Sequence, residues 1–287
     1  MGHLSFKVAL QYALPHRFLS RIVLWATRWT FVPWKSFLIG QIVRRYHVDL
    51  AEAENPDPAA YPHFNAFFTR ALKPGARPVP ADPAAIACPA DGRISQAGAV
   101  EAGRIVQAKG QTFSVVELLG DDAAAKAYAD GSFLTVYLSP RDYHRVHMPL
   151  DGELVETVHI PGRVFSVAPF AVAAIPRLFA RNERLICHFQ NERGPFAIVL
   201  VGAMLVSGIE TVWRGVEVPP YASAIIKRSY RAGAVRLGRN AEMGRFNMGS
   251  TAIVLLPDAI GRISDALLPQ QAVRVGQTIG SCTLVKM

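Results

Sequence analysis

From Cys88 onward the chain is a succession of short apolar runs cut by Gly, Pro and Asp turns, and that pattern confines it to a β-rich core. Residues 133–138, 154–160, 197–206 and 252–256 read as strands. The longest apolar run, 196–206, has 11 residues. It is too short to span a membrane and reads as a buried strand turning at Gly202. Helical spacing interrupts the pattern only at 115–129 and 169–181. A faint repeat runs through it. Pro89-Ala90-Asp91-Gly92-Arg93-Ile94 matches Pro149-Leu150-Asp151-Gly152-Glu153-Leu154, and Gly110-Gln111-Thr112-Phe113 echoes Gly276-Gln277-Thr278-Ile279. Asp-Gly turns opening strands, and a Gly-Gln step before a closing strand, suit duplicated barrel-sandwich-like units. The fold class expected is α+β.

The α part lies at the N-terminus. Residues 1–48 hold Lys7, Arg17, Arg21, Arg28, Lys35, Arg44 and Arg45 and no Asp or Glu, so they carry seven of the net nine positive charges. They also carry three of the four tryptophans. Helices are expected at 4–12, 16–30 and 34–46, with Pro33 as an interruption. On 16–30, Arg17, Arg21 and Arg28 share an arc with Ser20 and Thr27, while Phe18, Ile22, Trp25 and Trp29 share the other. Arg opposite Trp and Phe marks a helix lying in a membrane interface; the competing reading is a hairpin packed on the body with its arginines in solvent. Basic charge also attracts nucleic acid, but the tryptophans favour an anionic membrane surface, bound through residues 4–46. No uninterrupted apolar stretch here is long enough to span. Residues 52–62 read as a linker, 63–72 as a short helix and 73–83, with four prolines, as irregular chain. This divides the protein into a helical region at 1–64 and a catalytic β-rich domain at 65–287. The three cysteines are far apart, and neither a disulfide framework nor a metal site is indicated.

Gly249-Ser250 stands at the mouth of the strand expected at 252–256. Gly249 lets its carbonyl be approached closely and lets the backbone take up strain, and a serine hydroxyl beside it can attack once a base takes its proton. Two histidines, His144 and His147, lie close together, and either can serve as that base. A carboxylate partner would fix the tautomer. Asp91 and Asp151 both qualify, and spacing does not choose between them. A Ser-His-Asp lipid hydrolase would use the same groups, but Met248 and Ala252 stand where a G-x-S-x-G elbow needs glycines.

Several motifs in register resemble those of the bacterial phosphatidylserine decarboxylases: Cys-Pro-Ala-Asp-Gly at 88–92, Tyr-Leu-Ser-Pro-Arg-Asp-Tyr-His-Arg-Val-His-Met-Pro at 137–149, and Gly-Ser-Thr at 249–251. Residues 179–184, 208–213 and 242–246 add to the likeness, which extends over nearly the whole chain. The family usually has Leu where Met248 stands, a change that conserves volume. The resemblance implies that Asp91 and His147 activate Ser250, whose Oγ attacks the Gly249 carbonyl. The chain then splits between Gly249 and Ser250 into a β chain, 1–249, and an α chain, 250–287, and Ser250 becomes a covalent pyruvoyl cofactor. That group would form a Schiff base with phosphatidylserine, release CO2 and yield phosphatidylethanolamine, with His144 serving decarboxylation and protonation. A homodimer, peripheral on the cytoplasmic side of the inner membrane and without nucleic-acid partners, is implied as well.

Overall fold

The structure is a computed structural model; it describes residues 6–108, 110–204, 208–219 and 221–283. Its centre is an all-antiparallel sheet of nine strands. Eight run in the order Ile226–Ser229, Gly152–Ile160, Arg184–Asn191, Gly194–Val201, Ser250–Leu256, Ser132–Leu138, Gly92–Ala99, Ala272–Val273. The ninth, Arg236–Leu237, pairs alongside Gly152–Ile160. Strand Ser250–Leu256 lies mid-sheet and is buried along its whole length. Alternation explains its unbroken apolar run. Ala252, Val254 and Leu256 enter a core on one face with Leu138, Leu200 and Phe246; Ile253 and Leu255 enter a second core on the other face with Phe133, Val199 and Phe165.

Over the first core lies a four-stranded sheet, in the order Gly215–Val218, Ile209–Thr211, Glu242–Phe246, Arg145–His147. Two smaller sheets complete the β structure. Both Asp-Gly motifs open strands, and both carboxylates accept a backbone N–H: Asp91 from Val275 at 2.8 Å and Asp151 from Arg239 at 2.8 Å. The strand expected at 197–206 ends at Val201; positions 205 and 206 lie outside the described residues. The expected helix 115–129 is two pieces, Val115–Leu119 and Asp122–Lys126, because Gly120 turns at φ 67° and Asp121 caps the second. Residues 169–181 likewise divide, at Arg177 with φ 55°.

The N-terminal helices are α1 (Phe6–Ala13), α2 (His16–Arg28) and α3 (Val32–Tyr46). Pro33 does not interrupt: it occupies the first turn of α3, where a missing N–H costs nothing. Residues 4 and 5 of the first expected helix lie outside the described residues. Helix α4 is only Phe64–Phe68, capped by His63 Nδ1, which accepts from the Ala66 N–H at 3.0 Å. Ile39 of α3 and Phe64, Phe67 and Phe68 of α4 form a third core, against which Met248 packs. Helix α2 turns its small polar side inward. His16, Ser20 and Thr27 are buried, while Phe18 is 62% and Trp25 64% exposed. Arg17 and Arg21 are exposed as well, so the helix packs on the body by its small polar side and leaves both arginines and aromatic rings outward.

Candidate active site

Three segments converge on the start of the central strand. Residues 247–249 carry the chain from the four-stranded sheet into the nine-stranded one. Asn247 fixes the near end: its N–H donates to the Gly208 carbonyl at 2.9 Å, its Nδ2 to Glu210 at 2.7 Å, and its Oδ1 accepts from Asn65 at 2.9 Å. Ser250 fixes the far end, in register with Leu138. Between these anchors Met248 adopts φ 105°, which costs a non-glycine residue roughly 1–3 kcal/mol. Gly249 itself has no positive φ, and a Cβ there would meet only the Leu138 carbonyl oxygen at 3.8 Å. The strain expected at Gly249 therefore falls one residue earlier.

Ser250 is fully buried and its Oγ has no hydrogen-bond partner among the described residues. By strand alternation it points to the same face as Ala252 and Val254, toward the four-stranded sheet that carries the histidines.

His144 and His147 are built alike. His144 Nδ1–H donates to the Asp142 carbonyl at 2.8 Å, and His147 Nδ1–H donates to the Asn240 carbonyl at 2.6 Å. A carbonyl only accepts, so each Nδ1 keeps the proton and each Nε2 carries the lone pair. His147 Nε2 accepts from the Tyr143 hydroxyl at 3.1 Å. His144 Nε2 has no partner among the described residues, and the ring sits 4.0 Å, centroid to centroid, from Phe68. Burial pushes the His144 pKa down to about 3, and the Arg70 guanidinium nearby adds to the shift. Burial also lowers that of His147, against the Asn240 bond and the charges of Glu242 and Asp91. Both rings are neutral bases at neutral pH.

Asp91 is brought beside this strand, since the His147 N–H donates to the Pro89 carbonyl at 2.8 Å. Its carboxylate is claimed by Arg77, with Nε 2.9 Å from Oδ1, and by the Val275 N–H. Among the described residues neither ring nitrogen of His147 bonds to it; Asp91 acts on the ring through its charge. A cleft of about 310 Å³ borders Asp91, Asp142, Tyr143 and Arg70.

The comparisons with known proteins converge on one family. The family described as phosphatidylserine decarboxylase matches residues 64–281, and one described as PSD matches residues 6–47. The chain is 58% identical to a phosphatidylserine decarboxylase proenzyme of Xanthomonas euvesicatoria pv. vesicatoria, over 96% of this chain and 99% of that one. It is 57% identical to the proenzyme of Xanthomonas campestris pv. campestris strain B100, over 96% and 98%. For the proenzyme of Stenotrophomonas maltophilia strain R551-3 the values are 56%, 96% and 99%. The chain belongs to the phosphatidylserine decarboxylase family.

In this member of the family several groups that set the site are absent from the sequence reading. Tyr143 holds His147 Nε2, and burial pushes its own pKa up to about 12, keeping the hydroxyl a donor. Arg77 pairs with Asp91 from the proline-rich segment, where nothing in its local pattern distinguishes it. Asn240 and Asp142 contribute through backbone carbonyls, which no side-chain motif reveals. Asn65 and Glu210 clamp Asn247, and Arg28 of α2 reaches Glu210 at 3.3 Å, tying the N-terminal helices to the cleavage segment.

Proposed function

We propose that the chain is a self-processing carboxy-lyase that makes its own pyruvoyl group at Ser250 and uses it to convert phosphatidylserine to phosphatidylethanolamine and CO2. The observation that carries this reading is the buried Ser250 Oγ, without a partner among the described residues, one residue past Gly249 and two past a strained Met248. A serine that opens a strand is not at the strand-to-helix turn of a hydrolase elbow.

Ser250 Oγ adds to the Gly249 carbonyl carbon as its proton passes to a base. The 249–250 C–N bond breaks and an ester replaces it. Loss of the Ser250 α-proton then expels the Gly249 carboxylate, leaving a β chain, 1–249, and an α chain, 250–287. The dehydroalanine at residue 250 takes up water and loses ammonia. His147, whose cation Asp91 favours, is the base assigned to the first step, its Nε2 lone pair passing from the Tyr143 hydroxyl to the Ser250 proton. The site fits the covalent group, because the residue that becomes it is anchored in a rigid central strand and shielded from water. A pyruvoyl group at residue 250 would supply a ketone for the substrate amine and an electron sink for the pair released with CO2. His144 is assigned to the proton transfer at the substrate α-carbon, through the lone pair of an Nε2 that has no partner among the described residues. Intact-mass measurement tests the reading. The wild-type chain gives two fragments split after Gly249, and Ser250→Ala gives one uncleaved chain; an active, unsplit wild type would overturn it.

Residues 1–64 are assigned to membrane association and 65–287 to catalysis. Support comes from α2, whose outward side is Phe18, Ile22 and Trp25 beside exposed arginines. No described helix is long and apolar enough to cross a membrane. Peripheral attachment at the cytoplasmic face of the inner membrane, and a homodimer, are proposed with that assignment. A duplicated β unit is supported by the equivalent backbone bonds of Asp91 and Asp151.

A further inference from the structure

A cleft of about 740 Å³ opens where the α1–α2 junction meets the turn at residues 161–164. His16, Arg17 and Phe18 line it from the first turn of α2, and Arg163 and Arg181 line it from the body. None of the residues assigned to processing or decarboxylation borders it, and among the described residues no acidic side chain does. The three arginines are positioned by neutral groups. Arg17 donates to the Ala222 carbonyl at 3.3 Å, Arg163 to the Tyr12 carbonyl at 2.8 Å and Arg181 to the Tyr12 hydroxyl at 3.3 Å. Their charge is held in place and, among the described residues, meets no acidic partner in an ion pair, which is the electrostatic condition for an anion site.

His16 is an independent sign of a ligand. It is only 6% exposed. The Gln11 carbonyl lies near the ring, but neither ring nitrogen completes a hydrogen bond to it or to any other described residue. A buried imidazole with both nitrogens idle has given up water for a donor and an acceptor and gained nothing in return, and such groups call for a partner. Helix α2, 13 residues long, begins at this ring with Pro15 as N-cap and no side-chain cap; the His16 N–H donates to the Leu14 carbonyl at 3.0 Å, which leaves the N–H groups of Arg17 and Phe18 without a partner among the described residues.

We infer that this cleft binds the phosphate of an anionic membrane phospholipid, at a site separate from the one that turns substrate over. A lipid fits better than free phosphate because the cationic hollow adjoins an apolar apron. Phe18 lines the cleft itself, and Phe6, Leu10, Ile22 and Trp25 are exposed on the same two helices. A phosphodiester would sit among Arg17, Arg163 and Arg181 with an oxygen in reach of His16, while its acyl chains lie along the apron. The lipid would then pin the α1–α2 junction to the body through the arginines that already hold Tyr12. Access to a bilayer lipid rests on the proposed interfacial placement of α1 to α3; the chemistry of the cleft does not.

The test uses the full-length processed protein and dihexanoylphosphatidylglycerol kept monomeric in solution, titrated calorimetrically. His16→Gln/Arg163→Gln is expected to bind it at least 10-fold more weakly than wild type, and Arg17→Gln alone a few-fold more weakly. Arg44→Gln/Arg45→Gln, which removes at least as much charge at the end of α3, is expected to leave binding unchanged. Equal weakening in both double variants would reduce the effect to diffuse charge attraction and overturn the site. So would a wild type that does not bind, or variants with wild-type affinity. Inorganic phosphate binding as tightly as the lipid would overturn the lipid assignment. Retention of the wild-type melting temperature and fragment pattern shows that each variant is folded, and Arg17→Gln, exposed and held by one long bond, carries the test if the double variant is not. Because no bilayer is present, failure here leaves the interfacial reading standing, and failure of vesicle binding leaves this titration standing.

Discussion

His144 and His147 have the same tautomer and different freedom, and the difference separates their duties. Tyr143 occupies His147 Nε2, so that lone pair is oriented by the protein itself. His144 Nε2 has no partner among the described residues and Phe68 walls the ring, a setting that suits proton exchange with a substrate atom. The expected outcome for His147→Ala is a single uncleaved chain on intact-mass analysis. His144→Ala is expected to split normally and then decarboxylate phosphatidylserine at least about 100-fold more slowly, the scale of a lost general acid–base group. If His144→Ala failed to split, the two roles would not be separable.

The burial of His144 also has a pH signature. Its folded pKa, about 3, lies below the ordinary 6.5. Between these values the unfolded chain binds a proton that the folded chain refuses. The stabilisation is complete above pH 6.5 and is lost as pH falls toward 3, at about 1.4 kcal/mol per pH unit. Urea midpoints of the uncleaved Ser250→Ala protein should therefore fall between pH 7 and pH 5, and more shallowly when His144→Asn is added. His16, His147 and His188, also lowered by burial, keep their share of the slope in both proteins.

At the level of elements, the crossing from one sheet to the other gives the cleavage segment its shape. Two anchored ends and two residues between them leave little conformational choice, and the positive φ falls on Met248. Gly249→Ala should then be tolerated. Its Cβ meets an ordinary contact, so the precursor is expected to gain about 0.4–1 kcal/mol from reduced unfolded-state entropy. Splitting should continue within about tenfold of the wild-type rate, read by the same mass measurement. The strand itself was legible in the sequence, because five consecutive apolar residues after a Gly-Ser step leave few alternatives to a buried strand. The histidines and Ser250 stood out as residue types with chemistry. Their wiring did not, because it runs through backbone carbonyls at Asp142 and Asn240 and through Arg77, groups that register and long-range pairing alone bring into place. The two broken helices at 115–129 and 169–181 were misread for a local reason. Gly120 and Arg177 adopt left-handed conformations that tertiary packing selects and periodicity does not encode.

Across the whole molecule, the N-terminal helices serve two surfaces at once. Inward, Ile39 and α4 build the small core that receives Met248, and Arg28 reaches Glu210 behind Asn247. Outward, they present aromatic side chains to the surroundings. Deleting residues 1–46 would remove both functions together, stripping the cover from Phe64, Phe67 and Phe68 as well as any anchor. Point substitution on the outward side removes the anchoring rings and leaves the inward contacts in place. Phe18→Ser/Trp25→Ser removes two side chains more than half exposed, so the fold and the cleavage should be unaffected. In the interface these rings enter partway; about 100 Å² of their apolar area leaving water together contributes roughly 2–3 kcal/mol at about 25 cal/mol per Å². Flotation with vesicles of phosphatidylcholine and phosphatidylglycerol should therefore weaken about 30- to 100-fold, and raising the salt should weaken it further, since the remaining attraction is the arginines'. Unchanged flotation of this variant would mean that the aromatic side of α2 does not enter the bilayer, and it would leave the helices as a lid on the third core alone.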